Sequence, residues 1–203
     1  HDGGITGTPV VKKGETTTLK APAAPETITV EDGNNTSTNC TVTGTTYSWS
    51  SETPANAKIT NGANTDTITV TGVKKGESKI TLTMTVTYMK PDNSGSDSRE
   101  LAPYSVNVTV IDPEGDAANA AFASKLIITG NGRTYTPDGN GKIVAYKHVG
   151  EENVEWGASL KENSDGYNIS NTILNNGILT VTGTYTKDGA STPVEAKFSV
   201  EVK

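Results

Sequence analysis

Few side chains in this sequence are equipped for chemistry, and their neighbours decide what each could do. His148 is one of two histidines. A general base needs a nucleophile or an orienting acid within hydrogen-bond reach, and a strand expected over residues 141–149 makes His148 a strand-surface side chain beside Val144 and Tyr146. Cys40, the single cysteine, lies among Thr and Asn with no cation nearby to favour the thiolate. No Gly-x-Ser-x-Gly elbow occurs. Asp138-Gly139-Asn140-Gly141 sets two oxygen donors at alternate positions, as a calcium loop does, but residues 143–148 supply no bidentate acid. A Pro-Asp-Gly hairpin turn is expected there instead. Residues 92–100, DNSGSDSRE, offer more oxygen and read as a solvated loop. No catalytic, cofactor-binding or metal-ligating residue is assigned, no cofactor is expected, and the chain is expected not to be an enzyme.

Two other chemistries belong to surfaces. Carbohydrate modules stack sugars on exposed aromatics, and Tyr135 and Tyr167, each beside a turn, are the candidate glycan contacts. A Tyr near a turn also serves to close a core with its hydroxyl in water. A Lys–Asn cross-link needs both partners on adjacent strands around a buried acid; Lys79 and Asn107 fall on neighbouring strands, but on their wet faces. Asn34, Asn35, Asn39, Asn107 and Asn168 begin Asn-x-Ser/Thr sequons, which a Thr-rich sequence produces by chance.

These side chains must be positioned by strands. In KITLTMTVTY, residues 79–88, Ile80, Leu82, Met84, Val86 and Tyr88 share one face and Thr lines the other. Such period-two alternation marks a half-buried strand. It recurs over 105–110, 153–161, 178–186 and 197–202. Thr, at roughly one residue in six against a much lower usual share, suits strands by its β-branching and suits the wet face by its hydroxyl. Half-apolar strands thus account for a hydrophobic fraction of only 33%. Only residues 116–126, DAANAAFASKL, suggest helix, expected as a turn or two in a linker.

Composition excludes several classes. Seventeen Lys and Arg against 23 Asp and Glu leave a net charge of −6, unsuited to neutralising a nucleic-acid backbone. No apolar run approaches the roughly 20 residues of a membrane helix, so no membrane insertion is expected. One Cys forbids an internal disulfide. The start, His1-Asp2-Gly3-Gly4, is compatible with prior removal of a leader.

Turn signals every 8–12 residues indicate a sandwich or barrel, and internal similarity divides the chain. Tyr47-Ser48-Trp49-Ser50 has a counterpart in Val154-Glu155-Trp156-Gly157, and residues 83–90 match 180–187 without a gap. A rival register pairs TITVTG, 67–72, with ILTVTG, 178–183. The expected architecture is all-β: two tandem immunoglobulin-like β-sandwiches over 1–112 and 122–203, joined by an acidic linker, 113–121. Trp49 and Trp156 are expected as core anchors.

Residues 11–19 (VKKGETTTL), 47–51 (YSWSS) and 68–80 (ITVTGVKKGESKI) resemble the bacterial Ig-like domain, group 2, over residues 8–112. The second unit resembles it through the Trp strand and final hairpin. This resemblance implies a non-enzymatic, secreted or cell-surface bacterial module, or one on a phage particle, acting as a spacer, presenter or adhesin. Its partners would be neighbouring domains, a surface protein or a glycan, and the chain itself is expected to be a monomer. A carbohydrate-binding surface protein is the alternative.

Overall fold

The computed structural model describes residues 4–31 and 36–203; His1, the turn at Asp32-Gly33 and the sequons at Asn34 and Asn35 lie outside them. The protein is all-β with several sheets, consistent with β-sandwich architecture. It divides into two compact units, His1–Asp112 and Pro113–Lys203.

In the first unit, β1 (Thr6–Gly7), β3 (Thr16–Lys20), β7 (Thr67–Gly72) and β6 (Ala57–Asn61) form one sheet in the order β1-β3-β7-β6. The second sheet runs β2 (Val10–Lys12), β10 (Tyr104–Ile111), β8 (Gly76–Met89), β5 (Ser37–Ser51), β4 (Thr27–Glu31). A sixth strand, β9 (Ser96–Glu100), pairs with the far end of β8. The expected alternation on β8 is realised: Ile80, Leu82, Met84, Val86 and Tyr88 are all buried. The first three join Leu19, Trp49, Ile68, Val70, Val108 and Val110 in the main core. Trp49 lies directly across from Leu82, and its indole N–H donates to the Thr65 carbonyl at 2.8 Å, satisfying the one polar atom that its burial withdraws from water.

The second unit opens with helix α1 (Pro113–Ser124), followed by β11 (Leu126–Gly130), β12 (Arg133–Tyr135), β13 (Lys142–Ala145), β14 (Trp156–Leu160), β15 (Tyr167–Asn175), β16 (Ile178–Lys187) and β17 (Ala190–Val202). The sheets are β12-β11-β14 and β13-β17-β16-β15. Residues 113–121, expected as a linker, are helical. The helix places Phe122 wholly inside the second core, with Ala118 packed against it, and the Asn119 side-chain oxygen Oδ1 accepts the Glu195 N–H at 2.8 Å. Acidic Glu114 and Asp116 in the first turn suit its positive N-terminal end.

The two units do not share a strand order. Trp49 stands on a strand hydrogen-bonded to the long strand β8, whereas Trp156 stands in the three-stranded sheet and the matching long strand, β16, lies in the other. Strands β15, β16 and β17 follow one another as a meander. Trp156 is only half-buried, packed on the core from its edge, and its indole N–H is enclosed without a partner. The sequence similarity therefore marks similar strands and not similar topology. Alternation fixes which face of a strand is apolar but carries no information about its neighbour.

Candidate functional site

Strand β8 outruns the first sandwich. Its early residues, Gly76 to Leu82, pair with β10; its last, Thr85 to Met89, pair with β9 on the same edge. The chain jogs between β9 and β10, where the Leu101 N–H donates to the Met84 carbonyl at 2.8 Å. On the other edge β5 continues past a bulge between Val42 and Gly44 and carries β4 beyond it. The result is a four-stranded arm, β4-β5-β8-β9, with a small apolar interior of Ile28, Cys40, Val86 and Tyr88.

This arm curls. In a flat sheet β4 and β9 would stand three strand spacings apart, about 14 Å. Yet Arg99 of β9, directly across from buried Val86, donates its guanidinium N–H to the Thr29 carbonyl of β4 at 2.8 Å. Two grooves follow the seam. One, of about 670 Å³, is lined by Pro22, Pro25, Ile28, Arg99, Leu101 and Tyr104 among others. The second, of about 480 Å³, is lined by Val30, Glu31, Tyr88, Lys90, Asp92 and Asp97. The Tyr88 hydroxyl reaches an Asp97 carboxylate oxygen at 3.5 Å. Sequence reasoning missed this site because Arg99 sat inside a segment read as a solvated loop; the alternation of Ser96, Ser98 and Glu100 with Asp97 and Arg99 carries no apolar signal.

The residues singled out from the sequence are scattered. Tyr135 lies against Trp156 with ring centroids 5.6 Å apart. Tyr167 lies between Phe122 at 5.9 Å and Tyr185 at 4.5 Å. Both are half-buried members of the second core, on strands of different sheets. Asp138 binds its own turn: one carboxylate oxygen accepts the N–H groups of Asn140 at 2.8 Å and Lys142 at 2.9 Å. Those bonds, that of Lys142 foremost, hold its carboxyl below the usual range. The turn links β12 to β13 across two sheets, so it is not the expected hairpin. Asp92 is held low by hydrogen bonds from Ser94, from its side chain foremost and then from its backbone N–H at 2.9 Å.

His148 falls beyond the end of β13, in an exposed loop and not in the expected strand. Its backbone N–H donates to Glu151 at 2.9 Å, and Arg133 clasps the same carboxylate. Together, the His148 N–H first, they lower the Glu151 carboxyl to about 2. Cys40 is buried, its sulfur 3.8 Å from the Thr38 carbonyl. Lys79 is directly opposite Asn107, and both are exposed. Among the described residues, no three His, Cys, Asp or Glu side chains gather into a metal-binding group, and no helix is long and apolar enough to cross a membrane. No family model matches the chain, and none of the curated proteins matches it.

Proposed function

We propose that this chain is a non-enzymatic, secreted or surface-exposed bacterial module that spaces or presents a neighbour, with an adhesive role open to its exposed seam, and that its first unit is an immunoglobulin-like domain of the bacterial group 2 type. The strand order β1-β3-β7-β6 against β2-β10-β8-β5 supports this. Its β1-β3-β7-β6 and β10-β8-β5 portions follow the order of the two sheets of a constant-type immunoglobulin sandwich, with β2 added beside β10 and the core Trp on β5, in the place of that fold's third strand. The second unit is a β-sandwich of different order, entered through a helix.

The observation that carries the spacer reading is the direction of the chain. Thr6 pairs with Lys20 at one end of β3; Lys12 pairs with Ile111, and Lys13 bridges Gly72, at the other. The polypeptide enters the first unit at one pole and leaves it at the opposite pole, along two parallel strands. Tension between the ends loads the β2–β10 ladder in shear, so its hydrogen bonds must fail together. In the second unit β17 is gripped between β16 and the parallel strand β13, and Lys203 exchanges backbone hydrogen bonds with Ala145 and Lys147.

Single-molecule stretching from the two termini tests this. The first unit should open at high force, and Val11→Pro, which removes a ladder N–H, should lower that force while Val11→Ala lowers it less. Opening at low force, indifferent to the proline, would defeat the spacer reading. The carbohydrate-binding alternative is favoured by the groove lined by Arg99 and Tyr104, whose volume lies within the range of small-ligand sites. Titration against a polysaccharide panel, repeated with Tyr104→Ala, distinguishes it: one glycan bound by the parent and lost in the variant would establish that alternative.

A further inference from the structure

Strand β15 has β16 on one side and, among the described residues, no strand on the other. Natural edge strands are blunted by charge, proline, shortness or bulges. Here β1, β2, β12 and β13 are short, β4, β6 and β9 carry Glu31, Lys58 and the charged row Asp97, Arg99 and Glu100, and β14, also uncharged, ends after 5 residues. The segment Tyr167–Asn175, YNISNTILN, holds neither charge nor proline. A bulge between Ile169 and Asn171 disturbs its first half only. Its second half runs regularly to the turn at Asn176-Gly177, where both residues have positive φ, 48° and 74°. Those angles belong to a two-residue type I′ turn, which closes on a hydrogen-bonded Asn175–Ile178 pair. Alternation along an antiparallel strand then aims the N–H and C=O groups of Thr172 and Leu174 away from β16. The Thr172 N–H is indeed turned to the free side, where it is capped at 2.9 Å by the side-chain oxygen of Asn171. Ile173, 53% exposed on the outer face, and Leu174, 43% exposed on the core face, flank this open ladder, with Ile178 also exposed beside them.

We infer that β15 is a docking edge for a second copy of this chain, the two β15 strands pairing antiparallel about a two-fold axis at Ile173. This goes beyond the spacer reading and does not depend on it, and it replaces the expected monomer by a reversible dimer. The occupant is a second copy because a two-fold axis sets each residue against its mirror position. A charge on the axis would then meet its own copy, and this uncharged edge meets itself without that repulsion. With Ile173 on the axis, Thr172 faces Leu174 of the second copy, and their outward backbone groups form about four hydrogen bonds. The Leu174 carbonyl replaces the Asn171 cap on the Thr172 N–H. Asn171 faces Asn175, amide to amide, while the two Ile173 side chains meet. A contact of this length is small beside a standard protein interface, so the dimer is weak and concentration-dependent.

The test is sedimentation velocity on the whole chain across a concentration series. The expected result is a weight-average sedimentation coefficient that rises with concentration. It should stay flat in Ile173→Lys and in Ile173→Glu, each of which sets like charges together on the axis. An equimolar mixture of these two variants should dimerise again, because lysine then faces glutamate. Ile173 is exposed on the outer face, and circular dichroism of each variant checks that the fold is retained. A parent chain that stays monomeric up to its solubility limit would overturn the inference. So would a parent dimer that survives both single variants, or a mixture no more associated than its components.

Discussion

Trp49 and Trp156 share a sequence setting and differ in what their indole nitrogens do. The first donates to a carbonyl inside a closed core; the second is enclosed without a partner. Trp49→Phe removes a made hydrogen bond and leaves a void, a loss of about 2–4 kcal/mol. Trp156→Phe discards an unsatisfied donor along with some packing, and should cost about 1 kcal/mol or less. Urea titration of the two variants compares them. Gly183 faces a tighter constraint: a Cβ there would collide with the Asn168 carbonyl and lie 2.9 Å from Phe122 Cζ. Gly183→Ala should therefore destabilise the second unit by about 1–3 kcal/mol through overpacking. Glu151 is a matter of proton linkage. Its carboxyl titrates at about 2 in the folded chain against an ordinary 4.5, so on acidification the unfolded chain takes up the proton first. The stability contributed by this clasp is whole above about pH 4.5 and is lost as pH falls from there toward 2. The His148 amide resonance should report it, moving with a midpoint near 2 and ceasing to do so in Glu151→Gln.

At the scale of elements, helix α1 shows what local pattern leaves out. Its Ala-rich sequence announced helix, but only Phe122 marks a buried side, and one apolar residue gives no stripe from which to infer docking. A fragment beginning at residue 122 would lose Ala118 and the Asn119 bond to β17. Thermal melting should thus find residues 113–203 more stable than 122–203, and Phe122→Ala should cost about 3–5 kcal/mol. The strands were more legible. Ile80, Leu82, Met84, Val86, Tyr88, Val108, Val110, Leu179, Val181 and Phe198 face inward as their alternation requires. What alternation could not supply was partnership: that β14 and β16 belong to different sheets, that β8 continues into an arm, and that Arg99 reaches across the arm's seam. Tyr135 and Tyr167 were recognisable as turn-adjacent aromatics. That their rings pack against Trp156, Phe122 and Tyr185 was not, because those residues are distant along the chain.

Among the described residues there are two main cores, one around Trp49 and one around Phe122. Calorimetry should accordingly resolve two transitions, and Phe122→Ala should move one of them alone. A third, smaller apolar enclosure lies in the curled arm and contains the sole thiol, 4% exposed. Because few residues enclose it and one guanidinium spans its seam, the arm can open while both main cores stay shut. Alkylation of Cys40 should then outpace global unfolding and quicken further in Arg99→Ala. Nature has in effect set a stopwatch inside the protein: the waiting time before that sulfur is labelled counts how often the arm uncurls, with no cysteine introduced to report it.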